Sequence, residues 1–292
     1  MFSGTITALV TPFRDEKFDE AAYRRLIDGQ VAGGVDGIVP VGTTGESPTL
    51  DHAEHMRVIE LAVEVAARRT KVIAGTGSNS TAEAVVMTVE AEHLGADAAL
   101  LVAPYYNKPS QEGLFRHFGK IAEATKLPLI LYSIPGRCGI EIAVETVARL
   151  AKTYPNIVAI KEAGGTVERV SALRAALPAT FDILSGDDSL TLPFLAAGAN
   201  GVISVASNLI PREVGGLVQA ALAGLYEEAR EWHARLYALF KDLFIEPNPV
   251  PVKHALALRG EMLADVRLPL CEMSTANAAK LEATLRQLEI IP

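Results

Sequence analysis

Ala98-Ala99-Leu100-Leu101-Val102-Ala103 is apolar at all six positions. A strand with one wet face alternates apolar and polar side chains. A run without alternation therefore reads as a strand covered on both sides, as in a parallel sheet flanked by helices. The flanks agree. Residues 84–94 carry a helical pattern opened by Ser80 and Glu83 in capping-box spacing, and residues 128–134 form another short apolar run. The same alternation fills most of the chain, with strands predicted at 5–10, 36–41, 71–76, 98–103, 128–134, 156–162, 181–186 and 200–206. Between them, residues 51–69 place Met56, Ile59, Val63 and Ala66 on one helical face, with Asp51 and Glu54 as a second capping pair. Successive strands begin 19 to 35 residues apart, the length of a βα unit, without sequence repetition.

Eight parallel strands close as a (β/α)8 barrel or stay open as a doubly wound sheet. No GxGxxG follows the first strand, which removes the nucleotide fingerprint of the open fold. No linker-like stretch divides the chain. The reading is an α/β protein: a single (β/α)8 TIM barrel over residues 1–224, with a helical C-terminal extension over 225–292 broken at Glu246-Pro247-Asn248-Pro249-Val250-Pro251.

Composition limits the function. The 292 residues hold 27 Lys plus Arg against 35 Asp plus Glu, a net charge of −8, and no basic block that would track a phosphate backbone, so no nucleic-acid partner is expected. No apolar run is long enough for a membrane span. The opening Met1-Phe2-Ser3-Gly4-Thr5 lacks the basic segment and apolar core of a signal peptide. Cys138 and Cys271 lie far apart and form no CxxC pair, so the expected compartment is a reducing cytoplasm.

In such a barrel the chemistry sits at the C-terminal ends of the strands. The second strand is followed by Gly42-Thr43-Thr44-Gly45-Glu46-Ser47, whose glycines and hydroxyls suit a small carboxylate or phosphate, or else a tight turn. Pro104-Tyr105-Tyr106-Asn107-Lys108-Pro109 follows the fourth strand, and the fifth runs into Tyr132-Ser133-Ile134-Pro135-Gly136-Arg137. The sixth strand is Asn156-Ile157-Val158-Ala159-Ile160-Lys161-Glu162. Of ten lysines, Lys161 alone ends a predicted strand; Lys71 begins one, and Lys108 lies on a loop. Burial lowers a lysine pKa and frees a neutral amine, which adds to a carbonyl to give a Schiff base. The competing reading is a structural ion pair of Lys161 with Glu162. Tyr132 offers a hydroxyl for moving protons, and Arg137 offers a planar fork for a carboxylate unless it is merely an exposed loop arginine.

These stretches, together with Lys161-Glu162-Ala163, Ser185-Gly186-Asp187-Asp188, Gly201-Val202-Ile203-Ser204-Val205 and Glu246-Pro247-Asn248-Pro249, stand in the order found in one family. The chain resembles, over essentially its whole length, the Schiff-base class I aldolases of the dihydrodipicolinate synthase and N-acetylneuraminate lyase family. For the synthase branch the resemblance implies condensation of pyruvate with L-aspartate 4-semialdehyde to 4-hydroxy-tetrahydrodipicolinate, in diaminopimelate and lysine biosynthesis. Lys161 would form the imine with pyruvate, Thr44 would hold its carboxylate, and Gly186 and Ile203 would line the pocket. Tyr132, Thr43 and Tyr106 would relay protons, the last supplied by a neighbouring subunit of a homodimer or dimer of dimers. Arg137 would hold the second substrate's carboxylate. No metal or organic cofactor is implied.

Two positions depart from the family's Tyr-Asn-(Val/Ile)-Pro-x-Arg-Thr: Ser133 replaces Asn and Cys138 replaces Thr. Serine keeps a hydrogen-bonding group, whereas cysteine is a weaker donor beside Arg137. The alternative function is a pyruvate-forming lyase acting on sialic acid or a 2-keto-3-deoxy sugar acid. A non-catalytic barrel would be expected to lack Lys161 or Tyr132, and both are present. His52 and His55 have metal-ligand spacing but no evident third ligand, and otherwise read as residues of a solvated helix face. The resemblance implies instead that Ser47, His52, His55, Asn79, Glu83 and Tyr105 line an allosteric L-lysine site at a subunit interface. Against that, Glu83 has a capping role, and Tyr105 could simply pack beside Tyr106.

Overall fold

The computed structural model describes residues 2–292. Eight parallel strands close on themselves: β1 (Gly4–Ala8), β2 (Gly37–Val39), β3 (Lys71–Gly75), β4 (Ala98–Val102), β5 (Leu129–Ser133), β6 (Ile157–Glu162), β7 (Asp182–Ser185) and β8 (Gly201–Ser204). Each pairs with the next in sequence, and β8 closes the ring on β1 with Gly4 opposite Gly201. Every strand expected from the sequence is present, within two residues at each end.

Both faces are dry, as continuous apolar runs require. Ile6, Val39, Ile73, Leu100, Ile130, Ala159, Leu184 and Ile203 fill the interior, while Leu101, Leu131, Ile160, Ile183 and Val202 pack outward against helices. The helix expected at 51–69 spans His52–Ala66 and ends where Ala67 and Arg68 both take positive φ. Its capping pair is half formed. Asp51 accepts the Glu54 N–H at 2.8 Å, but the Glu54 carboxylate turns to the guanidinium of Arg267. A small antiparallel hairpin, Phe13–Arg14 with Lys17–Phe18, went unread; its Asp15-Glu16 turn has positive φ at both residues, as a type I′ turn needs.

After the last βα helix, Pro211–Leu222, come the helices Tyr226–Asp242, Val250–Leu258 and Thr275–Gln287. Their buried Leu239, Phe240, Val252, Leu256, Leu281 and Leu285 belong to the same apolar cluster as the outer faces of β4 to β6. The C-terminal helices therefore have no separate core, and they reach the loops at the top of the barrel. Among the described residues no helix is long and apolar enough to cross a membrane.

Candidate active site

The inward position of Lys161 depends on an irregularity in β6. Leu129 of β5 pairs with Ile157, but Ile130 pairs with Ala159, so one residue of β6 is extra. Val158 and Ala159 both adjoin the interior cluster, and from there the alternation is reset. Regular alternation from the outward-facing Ile157 would place Lys161 outside. With the shift, Lys161 pairs with Tyr132 and both lie within the barrel. The Lys161 Nζ sits 4.3 Å from the centre of the Tyr132 ring. Glu162 points the opposite way and pairs with Arg169 at 2.7 Å, which overturns the reading of Lys161 and Glu162 as an ion pair.

Burial controls the electrostatics here. Lys161 is 6% exposed, and desolvation pulls its pKa down to about 7; the negative charge of Asp188 opposes this and Arg137 adds to it. The Tyr132 hydroxyl is pushed up to about 12 by burial, against the Arg137 charge and a hydrogen bond with the Thr43 side chain. At neutral pH the pair is an amine that is half unprotonated and a phenol that holds its proton. Asp188, to which the sequence reading gave no role, is buried and accepts hydrogen bonds from Val205 N and Ala206 N at 3.0 and 3.1 Å and from the Ser204 hydroxyl. It thereby fixes the loop after Ile203, itself an interior residue.

Gly186 leaves space for the Lys161 side chain. A Cβ there would lie 3.1 Å from Lys161 Cε and from the Glu162 carbonyl oxygen, and 2.7 Å from the Ala163 Cβ. Gly186→Ala should therefore displace the amine and lower kcat by about 10- to 100-fold, since misplacement by an ångström costs that order. Steady-state kinetics read this directly; unchanged kcat would remove Gly186 from the site.

The loop after β2 is held from the C-terminal helices. Thr44 is buried, and its hydroxyl accepts the Asn248 amide N–H at 3.0 Å. The Asn248 carbonyl oxygen lies 3.5 Å from Arg137 Nη2, so one residue touches both groups expected to hold carboxylates. The Asn248 Oδ1 is buried without a protein partner. Glu46, at φ +55°, forms a fully buried ion pair with Lys253 at 2.6 Å, and Lys253 also donates to the Thr11 carbonyl at 2.9 Å. Neither Asn248 nor Lys253 was singled out from sequence. The signal for Lys253 was available: it is the only acid or base in the otherwise apolar helix Val250–Leu258 besides His254.

Arg137 lies in a short helix, Pro135–Cys138, and is exposed, as a loop arginine would be, yet its charge reaches both Lys161 and Tyr132. Ser133 holds the loop: its hydroxyl accepts the Ile142 N–H at 3.3 Å. The buried Cys138 thiol is pushed up to about 11, so it stands beside Arg137 as a neutral group.

Tyr106 is not brought to the others. It is 90% exposed at φ +71°, on a turn tied by Asn79 Nδ2 to the Tyr105 carbonyl at 3.2 Å and by Asn107 Nδ2 to the Asn79 carbonyl at 3.0 Å. A cavity of about 190 Å³ is lined by Ser47, His52, His55, Glu83 and Tyr105 along with Ser78. Asn79 is outside that lining, its amide spent on the Tyr105 turn. The two histidines diverge. His52 is exposed and hydrogen-bonds Glu90 at 2.7 Å, whereas His55 is buried against the Gly75 carbonyl at 2.8 Å, so the solvated-face reading fails for His55. Ser80 caps the Glu83 N–H, but the Glu83 carboxylate engages the Ser78 hydroxyl and stays in the cavity wall. Among the described residues no three acidic, histidine or cysteine side chains lie together as a metal site.

A lysine amine buried at the C-terminal end of a barrel strand is the group with which one class of enzymes forms a Schiff base on a carbonyl substrate. Similarity then gives the family. The pattern of the dihydrodipicolinate synthetase family matches residues 1–288, and the chain belongs to that family. It is 54% identical to the 4-hydroxy-tetrahydrodipicolinate synthase of Geotalea daltonii over 291 residues, covering 100% of both chains. The structure of the 4-hydroxy-tetrahydrodipicolinate synthase from the methanotroph Methylacidiphilum fumariolicum SolV matches with a TM-score of 0.98 at 56% identity, over 99% of this chain and 96% of that one. A dihydrodipicolinate synthase from Cyanidioschyzon merolae, solved with lysine bound, matches with a TM-score of 0.97 at 42% identity over 99% of each chain.

Proposed function

We propose that this enzyme is a 4-hydroxy-tetrahydrodipicolinate synthase, condensing pyruvate with L-aspartate 4-semialdehyde. The observation that carries the reading is the buried Lys161 amine beside Tyr132, in a chain that matches synthases end to end. The neutral amine adds to C2 of pyruvate, and loss of water gives the imine. A C3 proton leaves to form the enamine, whose C3 attacks the aldehyde carbon of the second substrate. The substrate's own amine then attacks C2, closes the six-membered ring and releases Lys161. Tyr132 and Thr43, joined by a hydrogen bond, move protons through these steps. Thr44, held by Asn248, binds the pyruvate carboxylate, while Gly186 and Ile203 shape the pocket and Arg137 faces the second carboxylate. The lyase acting on sialic or sugar acids is not favoured: the full-length relatives are synthases.

The test is borohydride reduction with pyruvate followed by peptide mapping. A single label on Lys161, and cyclic product once the semialdehyde is added, are expected; label elsewhere or none refutes the assignment.

We assign Tyr106 to the proton relay of a second copy of this chain, since its exposed turn leaves it without a role in its own barrel. We place the enzyme in the cytoplasm. The cavity between Ser47, His52, His55, Glu83 and Tyr105 we assign to L-lysine as inhibitor, supported by the lysine-bound relative and by a carboxylate wall suited to an ammonium group. Glu83→Gln should raise the inhibitory lysine concentration by about tenfold or more, the worth of one charge-assisted hydrogen bond. Dose–response curves of wild type and variant check this, and turnover insensitive to lysine in the wild type removes it.

A further inference from the structure

Behind the reacting side chains, on the outward face of β5 and β6, lies a second set of charges that the reaction itself does not use. Glu162 is fully buried. Its Oε1 accepts the Gly164 N–H at 2.6 Å and its Oε2 accepts Arg169 Nε at 2.7 Å. Arg169, itself 8% exposed, extends further. It pairs with Glu141 Oε2 at 3.0 Å and donates to the Ile142 carbonyl. Ile142 in turn donates its N–H to the Ser133 hydroxyl, and Ser133 accepts the Ala163 N–H at 3.0 Å through its backbone oxygen. The circuit is closed: β6 end, Arg169, the segment around Glu141 and Ile142, β5 end, and back to β6.

Its geography matters. Glu162 follows Lys161, Ser133 follows Tyr132, and Glu141 and Ile142 end the segment that carries Arg137. One guanidinium with a planar fork thus spans the nucleophile's strand and the loop of the second carboxylate site, the bidentate task that arginine performs and lysine does not. Gly164 makes room for it: a Cβ there would stand 2.6 Å from Glu162 Oε1 and 3.3 Å from Glu141 Oε1.

We propose that Arg169 is a positioning residue for the condensation step, clamping the Arg137 loop to the Lys161 strand and so setting the distance between the enamine and the second substrate. The proposal rests on the synthase reading, and it concerns the second half-reaction. Imine formation uses Lys161, the Tyr132–Thr43 pair and the pyruvate pocket at Thr44, and none of these is among the partners of Arg169 or Glu141. Carbon–carbon bond formation also needs Arg137 at a fixed distance.

The test separates the two half-reactions in Arg169→Met and in Glu141→Gln. The second change cuts only the loop side of the clamp at a half-exposed residue, so the fold survives it. With pyruvate alone, borohydride trapping of either variant should stay within about threefold of wild type. In the full reaction, Arg169→Met should lose about 100-fold in kcat, the cost of an ångström of misplacement. Glu141→Gln should raise KM for the semialdehyde by about three- to tenfold, the worth of a partly exposed ion pair, with KM for pyruvate unmoved. Arg169→Lys, which keeps the charge without the fork, should recover only part of the kcat. Trapping and condensation falling in parallel, or Glu141→Gln leaving the semialdehyde KM unchanged, would overturn the proposal. Failure of wild type to trap pyruvate would refute the function itself and not the clamp.

Discussion

Lys161→Met should be inactive and more stable than the wild type. Turnover falls by at least about 10³-fold, because among the described residues no other lysine lies with the interior side chains of the barrel to replace the covalent step. The stability gain follows from the charge. The Lys161 pKa stands at about 7 in the folded protein against 10.5 for a free side chain. Between those values the unfolded chain binds a proton that the native chain does not. The native state is therefore penalised as pH falls below 10.5, and the penalty is complete below 7. At pH 7 it is worth on the order of 4 kcal/mol, which an uncharged methionine removes. Denaturant unfolding and initial rates check both halves; an inactive variant that is also destabilised would mean that Lys161 supports the fold.

The pH dependence of the wild type tests the same physics. A half-neutral amine at pH 7 offers roughly 10³-fold more free nucleophile than a lysine of ordinary pKa. Borohydride trapping of pyruvate should then rise through about pH 7 and level off by about pH 8. A tenfold rise per unit continuing to pH 9 would show that the amine is not desolvated.

The barrel was legible because its strands are apolar on both faces, and a run such as Ala98–Val102 admits few other readings. The loop residues were legible through the rule that places chemistry at strand ends. What the sequence hid has physical reasons. The extra residue at Val158 leaves no mark in a strand that is apolar on both faces, yet it turns Lys161 inward. The hairpin at Phe13–Phe18 is too short for a period to show. Asn248 stands in Glu246-Pro247-Asn248-Pro249, but its bond to Thr44 joins positions 204 residues apart. Arg169 looked like any helix arginine, because only the tertiary fold seats it between Glu141 and Glu162. Tyr106 is exposed in a single chain, and its proposed partner site lies on another copy.

Lys253 is the residue whose loss should cost the fold most. Its amine is fully buried against Glu46, the Thr11 carbonyl and the Phe13 ring. Desolvation holds its pKa below the ordinary lysine value despite the attraction of Glu46, so burial outweighs pairing and the pair gives little net stability. Removing one partner is another matter. Lys253→Met leaves the Glu46 carboxylate buried beside a methyl group and the Thr11 carbonyl without its donor. That should destabilise the protein by about 3–5 kcal/mol and lower Tm by roughly 10 °C. Glu46 also accepts the Arg267 N–H at 3.0 Å, and a glutamine there keeps that acceptor without the charge. Lys253→Met combined with Glu46→Gln should therefore regain most of the loss, giving a large favourable coupling in the double-mutant cycle. Activity should not follow stability. Glu46 holds its left-handed backbone directly after Thr43, Thr44 and Gly45, so without the ionic anchor that loop relaxes and KM for pyruvate rises even in the stable double variant. A double variant as unstable as Lys253→Met alone would show that the pair does stabilise the fold. One that is stable with unchanged pyruvate KM would show that the loop is held by the other contacts of Thr44 and Arg267.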